Sequence, residues 1–113
     1  MTSQITFSDF LKVDIRAGTV MSAEDFPEAK KPAYRLKIDF GKEIGTKQSS
    51  AQITRLYSKQ DLIGKQVVAV VNFPPKQVAN FMSEVLVLGF VLDNDEVVLL
   101  EPERDVPNGK RMA

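Results

Sequence analysis

The sequence predicts an all-β fold: a five-stranded Greek-key barrel with short helices and with extensions at both ends. Three observations carry this. Tyr34-Arg35-Leu36-Lys37-Ile38-Asp39-Phe40 alternates apolar and polar residues, the period of a strand with one buried face. Val67-Val68-Ala69-Val70-Val71 and Val85-Leu86-Val87-Leu88 are short, unbroken and rich in β-branched residues, so they suit strands better than helix. A short helical pattern, stopped by Gly64, separates the third predicted strand from the fourth.

Thr6-Phe7-Ser8-Asp9-Phe10-Leu11 has capping-box spacing, with Thr6 as cap and Asp9 three residues on. It predicts one helical turn with Phe7, Phe10 and Leu11 as apolar contacts. From Lys12 to Val20, Val13, Ile15 and Ala17 alternate with Asp14 and Arg16, as in a strand. Beyond Gly18 the apolar phase moves by one to Val20, which predicts a bulge at Gly18. Residues 22–33 predict a loop bracketed by Pro27 and Pro32. In the next strand Tyr34, Leu36, Ile38 and Phe40 point inward, and Arg35 and Lys37 outward. Gly41 to Gly45 predicts a turn, and Lys47 to Ile53 a weak, polar strand. Thr54 to Ile63 predicts a helix, because Ser58 and Asp61 repeat the capping-box spacing.

The first apolar strand ends at Asn72-Phe73-Pro74-Pro75-Lys76, where two prolines cannot donate to a ladder. The second follows Phe81-Met82-Ser83-Glu84. Gly89 to Leu92 turns through Asp93-Asn94-Asp95 into Glu96 to Leu100, a hairpin. The tail from Glu101 to Ala113 reads as extended, with one tight turn at Asn108-Gly109. Five strands with a helix between the third and fourth match the order of an OB-fold, with Val97–Leu100 as an extra strand.

A closed barrel takes alternate residues inside and leaves the others facing out. The outward apolar residues of the fourth and fifth strands, and Val97 to Leu100, then have no partner within one barrel. A two-fold second copy would bury them, so patterning predicts a homodimer. The alternative is that the N-terminal turn and C-terminal hairpin cover that surface within one chain.

The totals exclude several chemistries. A chain of 113 residues is expected to form one domain spanning 1–113. With no Cys and no His it offers no thiolate, no zinc spacing and no histidine base. It carries no G-x-G-x-x-G or G-K-[ST] phosphate loop, and no cofactor is implied. Asp93-Asn94-Asp95-Glu96 invites a calcium reading, which fails because the ligand pattern and its glycine are not continued. Asp14, Glu24 and Asp25 have nothing converging on them, and Ser49-Ser50 has no base of the usual kind, so an enzyme is not expected. No apolar stretch reaches the roughly 18 residues of a membrane span, and the N-terminus lacks a signal-peptide pattern. A cytoplasmic protein without membrane insertion is the expectation.

Fifteen basic and fifteen acidic residues cancel, but not evenly. Residues 30–76 carry ten basic residues against Asp39, Glu43 and Asp61, a net of +7, while residues 1–29 net −3 and residues 77–113 net −4. On an OB-fold this places Lys30, Lys31, Arg35 and Lys37 beside Ser49 and Gln52 on the ligand face, with Asn72, Phe73, Lys76, Phe81 and Met82 in the adjoining loop. Lys30, Lys31, Arg35, Lys37 and Lys76 suit phosphate or another charged ligand. Phe and Met make an adaptable apolar surface. The same residues allow plainer roles: Phe73 and Phe81 as core or dimer contacts, Lys30 and Lys31 as solubility charges.

The segment Lys12-Val13-Asp14-Ile15-Arg16-Ala17-Gly18-Thr19-Val20 resembles the opening strand of the tRNA-binding domain family. That family includes C-terminal domains of methionyl-tRNA synthetases. Tyr34-Arg35-Leu36-Lys37-Ile38-Asp39-Phe40-Gly41 is similar to its second strand. Three further stretches, Glu24 to Tyr34, Ser49 to Tyr57, and Val70 to Pro75 through Phe81 to Gly89, look like one branch of the family, the CsaA secretion chaperones. The resemblance implies an OB-fold homodimer with the extensions 1–11 and 91–113 in its interface. It also implies an export chaperone that holds precursor polypeptides and cooperates with the SecA motor. Asn72-Phe73-Pro74-Pro75-Lys76-Gln77 replaces the family's more basic loop with one charge fewer and an aromatic ring more, a shift toward apolar peptide.

Two functions follow as expectations. One is an ATP-independent holdase for unfolded or precursor polypeptides. In it Phe73, Phe81 and Met82 take apolar side chains, Ser50, Gln52 and Asn72 bond the peptide backbone, and Arg35, Lys37 and Lys76 set charge preference. The alternative is a structure-specific tRNA binder built on the basic middle segment.

Overall fold

The computed structural model describes residues 3–113, so the first two residues of the 1–11 extension lie outside the described residues. In chain order the elements are α1 (Phe7–Leu11), β1 (Ile15–Asp25), β2 (Tyr34–Asp39), α2 (Gly41–Ile44), β3 (Thr46–Ala51), α3 (Lys59–Leu62) and β4 (Gln66–Val70). Then come β5 (Lys76–Val78), β6 (Phe81–Ser83), β7 (Leu86–Val87), β8 (Gly89–Val91) and β9 (Val97–Leu99).

Five strands pair antiparallel in the order β3-β2-β1-β4-β7. The two edge strands then meet. The Glu84 N–H donates to the Gln48 carbonyl at 2.8 Å, and the Ser49 hydroxyl donates to the Val85 carbonyl at 3.1 Å. This nearly closed barrel is the expected OB-fold. The alternation in β2 fills it: Tyr34, Leu36, Ile38 and Phe40 are all buried, packed with Val20, Leu62, Val67 and Ala69.

Gly18 is not a bulge. β1 runs in regular register against β4 from Ile15 to Thr19, and its irregularity against β2 falls between Val20 and Ser22. Gly18 is needed for a steric reason: a Cβ there would stand 2.7 Å from Ile38 Cγ2 and from Phe40 Cδ1. An inward glycine leaves no apolar side chain to mark the phase, so the sequence pattern looks shifted. β1 also extends to Asp25, because Ser22–Asp25 pair with residues 34–37 of β2, and the loop shrinks to 26–33. The predicted helix over 54–63 is a single turn, α3, capped reciprocally by Ser58 and Asp61. The stretch after Pro75, expected as loop, folds into the β5–β6 hairpin.

The outward residues of β4 find cover within the chain. Ile15, Val68 and Val70 form a second buried cluster beneath Phe10, Leu88 and Leu100. The covering elements expose apolar surface of their own: Phe7 is 69% exposed, Phe90 64% and Val91 80%. The tail closes along β1, with the Gly109 N–H donating to the Ala17 carbonyl at 2.8 Å and the Met112 N–H to the Ile15 carbonyl at 2.8 Å. Gly109 has φ +88°, and a Cβ on it would collide with the Phe40 carbonyl. Among the described residues no helix is long and apolar enough to cross a membrane.

Three carboxylates tie these local structures to pH. Arg16 donates to both oxygens of Asp14, at 2.6 and 3.2 Å, and holds that carboxyl below its ordinary range. Asp9 and Asp61 are lowered by the backbone N–H groups of Thr6 and Ser58. A carboxylate with a depressed folded pKa adds stability above its unfolded pKa, and that stability is lost as pH falls through the folded value. The thermal midpoint is therefore expected to hold above about pH 5 and fall below about pH 4. Asp14→Asn should lower the midpoint at neutral pH and flatten the acid limb, as read by circular dichroism melts. An unchanged acid limb would remove Asp14 from this account.

Candidate functional site

The β5–β6 hairpin turns at Ala79, which has φ 52°, and is fixed across β3. The Gln48 side-chain amide donates to the Met82 carbonyl at 2.8 Å, and the Ser50 N–H donates to Ser83 Oγ at 3.0 Å. In the β2–β3 register Arg35 stands opposite Ser50, and Lys37 opposite Gln48. The hairpin therefore divides what the sequence suggested as one ligand face.

On one side lies a groove of about 810 Å³. Ala51, Ile53, Val85, Val87 and Val97 give it an apolar lining, Phe73 and Pro74 form a wall, and Ser50, Gln52 and Lys76 add polar groups. Phe73 is 52% exposed, a large ring with no complete cover. On the other side lies a recess of about 250 Å³ lined by Arg35, Lys37, Gln48, Phe81 and Glu24, among others. The Arg35 guanidinium sits 5.5 Å from the centroid of the buried Phe26 ring, and Phe26 meets Phe81 edge-on at 5.5 Å. Such stacking holds a cation in place. Its pairing is incomplete: Glu24 Oε2 lies 3.5 Å from Nη2, and Nε is shielded without a partner.

The predicted site residues thus separate. Ser50, Gln52, Phe73 and Lys76 share the groove, while Arg35, Lys37 and Phe81 share the recess. Asn72, Met82, Lys30 and Lys31 line neither. The Asn72 amide joins the end of β4 to the start of β1, accepting from the Asp14 N–H at 2.9 Å and donating to the Lys12 carbonyl at 2.7 Å. Met82 is exposed, and Lys30 and Lys31 are exposed in the 26–33 loop. Sequence reasoning missed Gln48 and Phe26. A polar residue on a weak strand and a ring just before the first loop proline, Pro27, give no local signal of either role.

A family model described as a tRNA binding domain matches residues 15–111. The chain belongs to the tRNA binding domain family. The chain is similar to the methionine–tRNA ligase of Thermococcus onnurineus, 35% identical over 108 residues, which make up 96% of this chain and 14% of the ligase. The ligase of Methanococcoides burtonii is 39% identical over 105 residues, 93% of this chain and 15% of the ligase. The chain therefore spans about one seventh of the length of these relatives. Among solved structures, chaperone CsaA from Bacillus anthracis str. Ames is 59% identical with a TM-score of 0.93, over 98% of this chain and 100% of that one. CsaA from Picrophilus torridus is 57% identical with a TM-score of 0.90, over 97% and 100%. A MetRS related protein from Pyrococcus horikoshii is 26% identical with a TM-score of 0.86, over 99% and 100%. The barrel is thus shared with chaperone CsaA and with a MetRS related protein.

Proposed function

We propose that the chain is a cytoplasmic, ATP-independent chaperone of polypeptides bound for export. It holds unfolded or precursor polypeptide in the groove between the β5–β6 hairpin and β7, and it catalyses no reaction. The observation that carries this is the groove itself, wide, open and apolar, with Phe73 projecting into it half-exposed. Similarity at 57–59% identity to chaperone CsaA from two organisms supports the same reading. Residues 1–113 act as one domain, and two copies associate through the terminal extensions, each copy bringing one groove. A disordered client loses entropy on binding, so one groove binds weakly and two gain by avidity.

Phe73→Asp and Val91→Asp test the groove. Each removes apolar contact worth about 1.5–3 kcal/mol, so affinity for an unstructured apolar peptide should fall roughly tenfold or more per change. Both side chains are largely exposed, at 52% and 80%, so melting should barely move. Fluorescence anisotropy gives the affinities. Full peptide binding by both variants would place the client elsewhere.

The Arg35–Lys37 recess favours a second reading, structure-specific tRNA binding. A gel shift at two salt concentrations checks it, since each phosphate contact steepens the salt dependence. Tight, salt-sensitive tRNA binding with no polypeptide binding would overturn the chaperone proposal.

A further inference from the structure

We propose that the groove and the recess are independent sites, so that one chain holds a polypeptide and a phosphate-bearing polyanion at the same time. The proposal rests on the chaperone reading for the groove and changes the relation of the two ligands: the polyanion binds beside the client instead of in its place. No residue lines both cavities. The wall between them is the β5–β6 hairpin: Lys76 and Val78 face the groove, and Phe81 faces the recess. That wall is tied to β3 on each side of the divide, by Gln48 on the recess side and by Ser50 on the groove side. A client filling the groove meets a fixed partition and leaves the recess open.

Charge separates the ligands as well. The recess sets Arg35 and Lys37 against Glu24, whereas the groove sets Lys76 against Glu84 and Asp95. A polyanion is attracted to the first and gains nothing from the second. Within the recess, Arg35 is already oriented by Phe26, and its contact to Glu24 is long, at 3.5 Å. A phosphate oxygen can take that place and form a shorter, charge-assisted bond. Phe81 beside it offers an edge or face to a base. The shared chemistry is the phosphodiester or phosphoanhydride oxygen, from either RNA or inorganic polyphosphate.

The test uses a dye-labelled unstructured apolar peptide, transfer RNA and inorganic polyphosphate with the full chain. Peptide affinity measured by anisotropy should change less than about twofold when RNA is saturating, and the complex should contain both. Lys37→Gln, alone and with Arg35→Gln, should weaken both polyanions, roughly tenfold for the pair, and leave peptide affinity within about twofold. Lys37 is exposed, so the single variant stays informative even where the double variant unfolds. Phe73→Asp should do the reverse. Phe81→Leu should weaken RNA and spare polyphosphate if bases stack there, and an equal effect on both assigns the recess to phosphate alone. Displacement of peptide by RNA in a single-site manner overturns the proposal while leaving the chaperone reading intact. A chain that binds polyanion but no peptide overturns both, and a chain that binds peptide but neither polyanion overturns this one only.

Discussion

Phe40→Ala is expected to lower the stability of the folded chain by about 3–5 kcal/mol, the usual range for removing a fully buried phenylalanine. Single domains are stable by about 5–15 kcal/mol, so this one change takes a third or more of the total. The ring, just past the end of β2, is completely buried in the cluster that holds Leu36, Ile38, Val20 and Leu62. It also fills the space left by Gly18, whose missing Cβ would otherwise stand 2.7 Å from the ring. That geometry predicts a coupling. Gly18→Ala alone should cost about 1–3 kcal/mol by overpacking against Ile38 and Phe40. In the Phe40→Ala background the new methyl enters vacated space, and only the Ile38 contact still resists it. The double variant should therefore be more stable than the two single effects predict, by at least about 0.5 kcal/mol. Urea unfolding of the four proteins measures this. Strict additivity would mean that Gly18 and Phe40 do not share that space.

What was legible in the sequence followed local, periodic rules. The Tyr34–Phe40 alternation, the Thr6 and Ser58 caps and the Glu96–Leu100 hairpin each depend on spacing within a few residues, and each stands where the spacing put it. What was not legible depended on distant contacts. The inward face of β1 carries a glycine because a ring more than twenty residues away needs the room, and spacing alone mistakes that for a bulge. The β5–β6 hairpin turns at Ala79-Asn80, without the Asn-Gly or Gly-X pair that usually announces a two-residue turn, so it read as loop. With the hairpin unseen, the candidates from Lys30 to Met82 looked like one binding face. Its return across β3 splits Phe73 from Phe81 and removes Asn72 to a structural bond.

Replacing Phe90 and Val98 together with Asp is expected to convert a homodimer into monomers. The two residues are cross-strand partners in the β8–β9 hairpin, so their side chains share one face. The opposite face belongs to the barrel, where Leu99 is buried and Val97 packs on the core. The Phe90 face has no such cover, at 64% exposure for Phe90 and 38% for Val98. Nearby, Leu100 and Phe10 roof the same outer side of β1 and β4, and Phe7 extends from α1 at 6.2 Å from the Phe10 ring, 69% exposed. The sequence expected unpartnered apolar residues on β4; the fold buries those and passes the need for cover to the two terminal elements lying over them. Surface of this kind, contributed by elements far apart in the chain, suits the proposed association, in which a two-fold copy would use one patch twice. By symmetry the double change puts four carboxylates into that interface. Burying them unpaired should weaken the dimer about a thousandfold or more. Native mass spectrometry at micromolar concentration reads the outcome directly. Because both side chains are exposed in the single chain, the monomer should keep the barrel's circular dichroism spectrum. It should also keep its affinity for a short peptide while losing most of its hold on a long client, whose two-groove avidity reaches roughly 10²–10⁴. A variant that remains dimeric would exclude the β8–β9 face, and a wild-type chain that is monomeric at micromolar concentration would overturn the dimer itself.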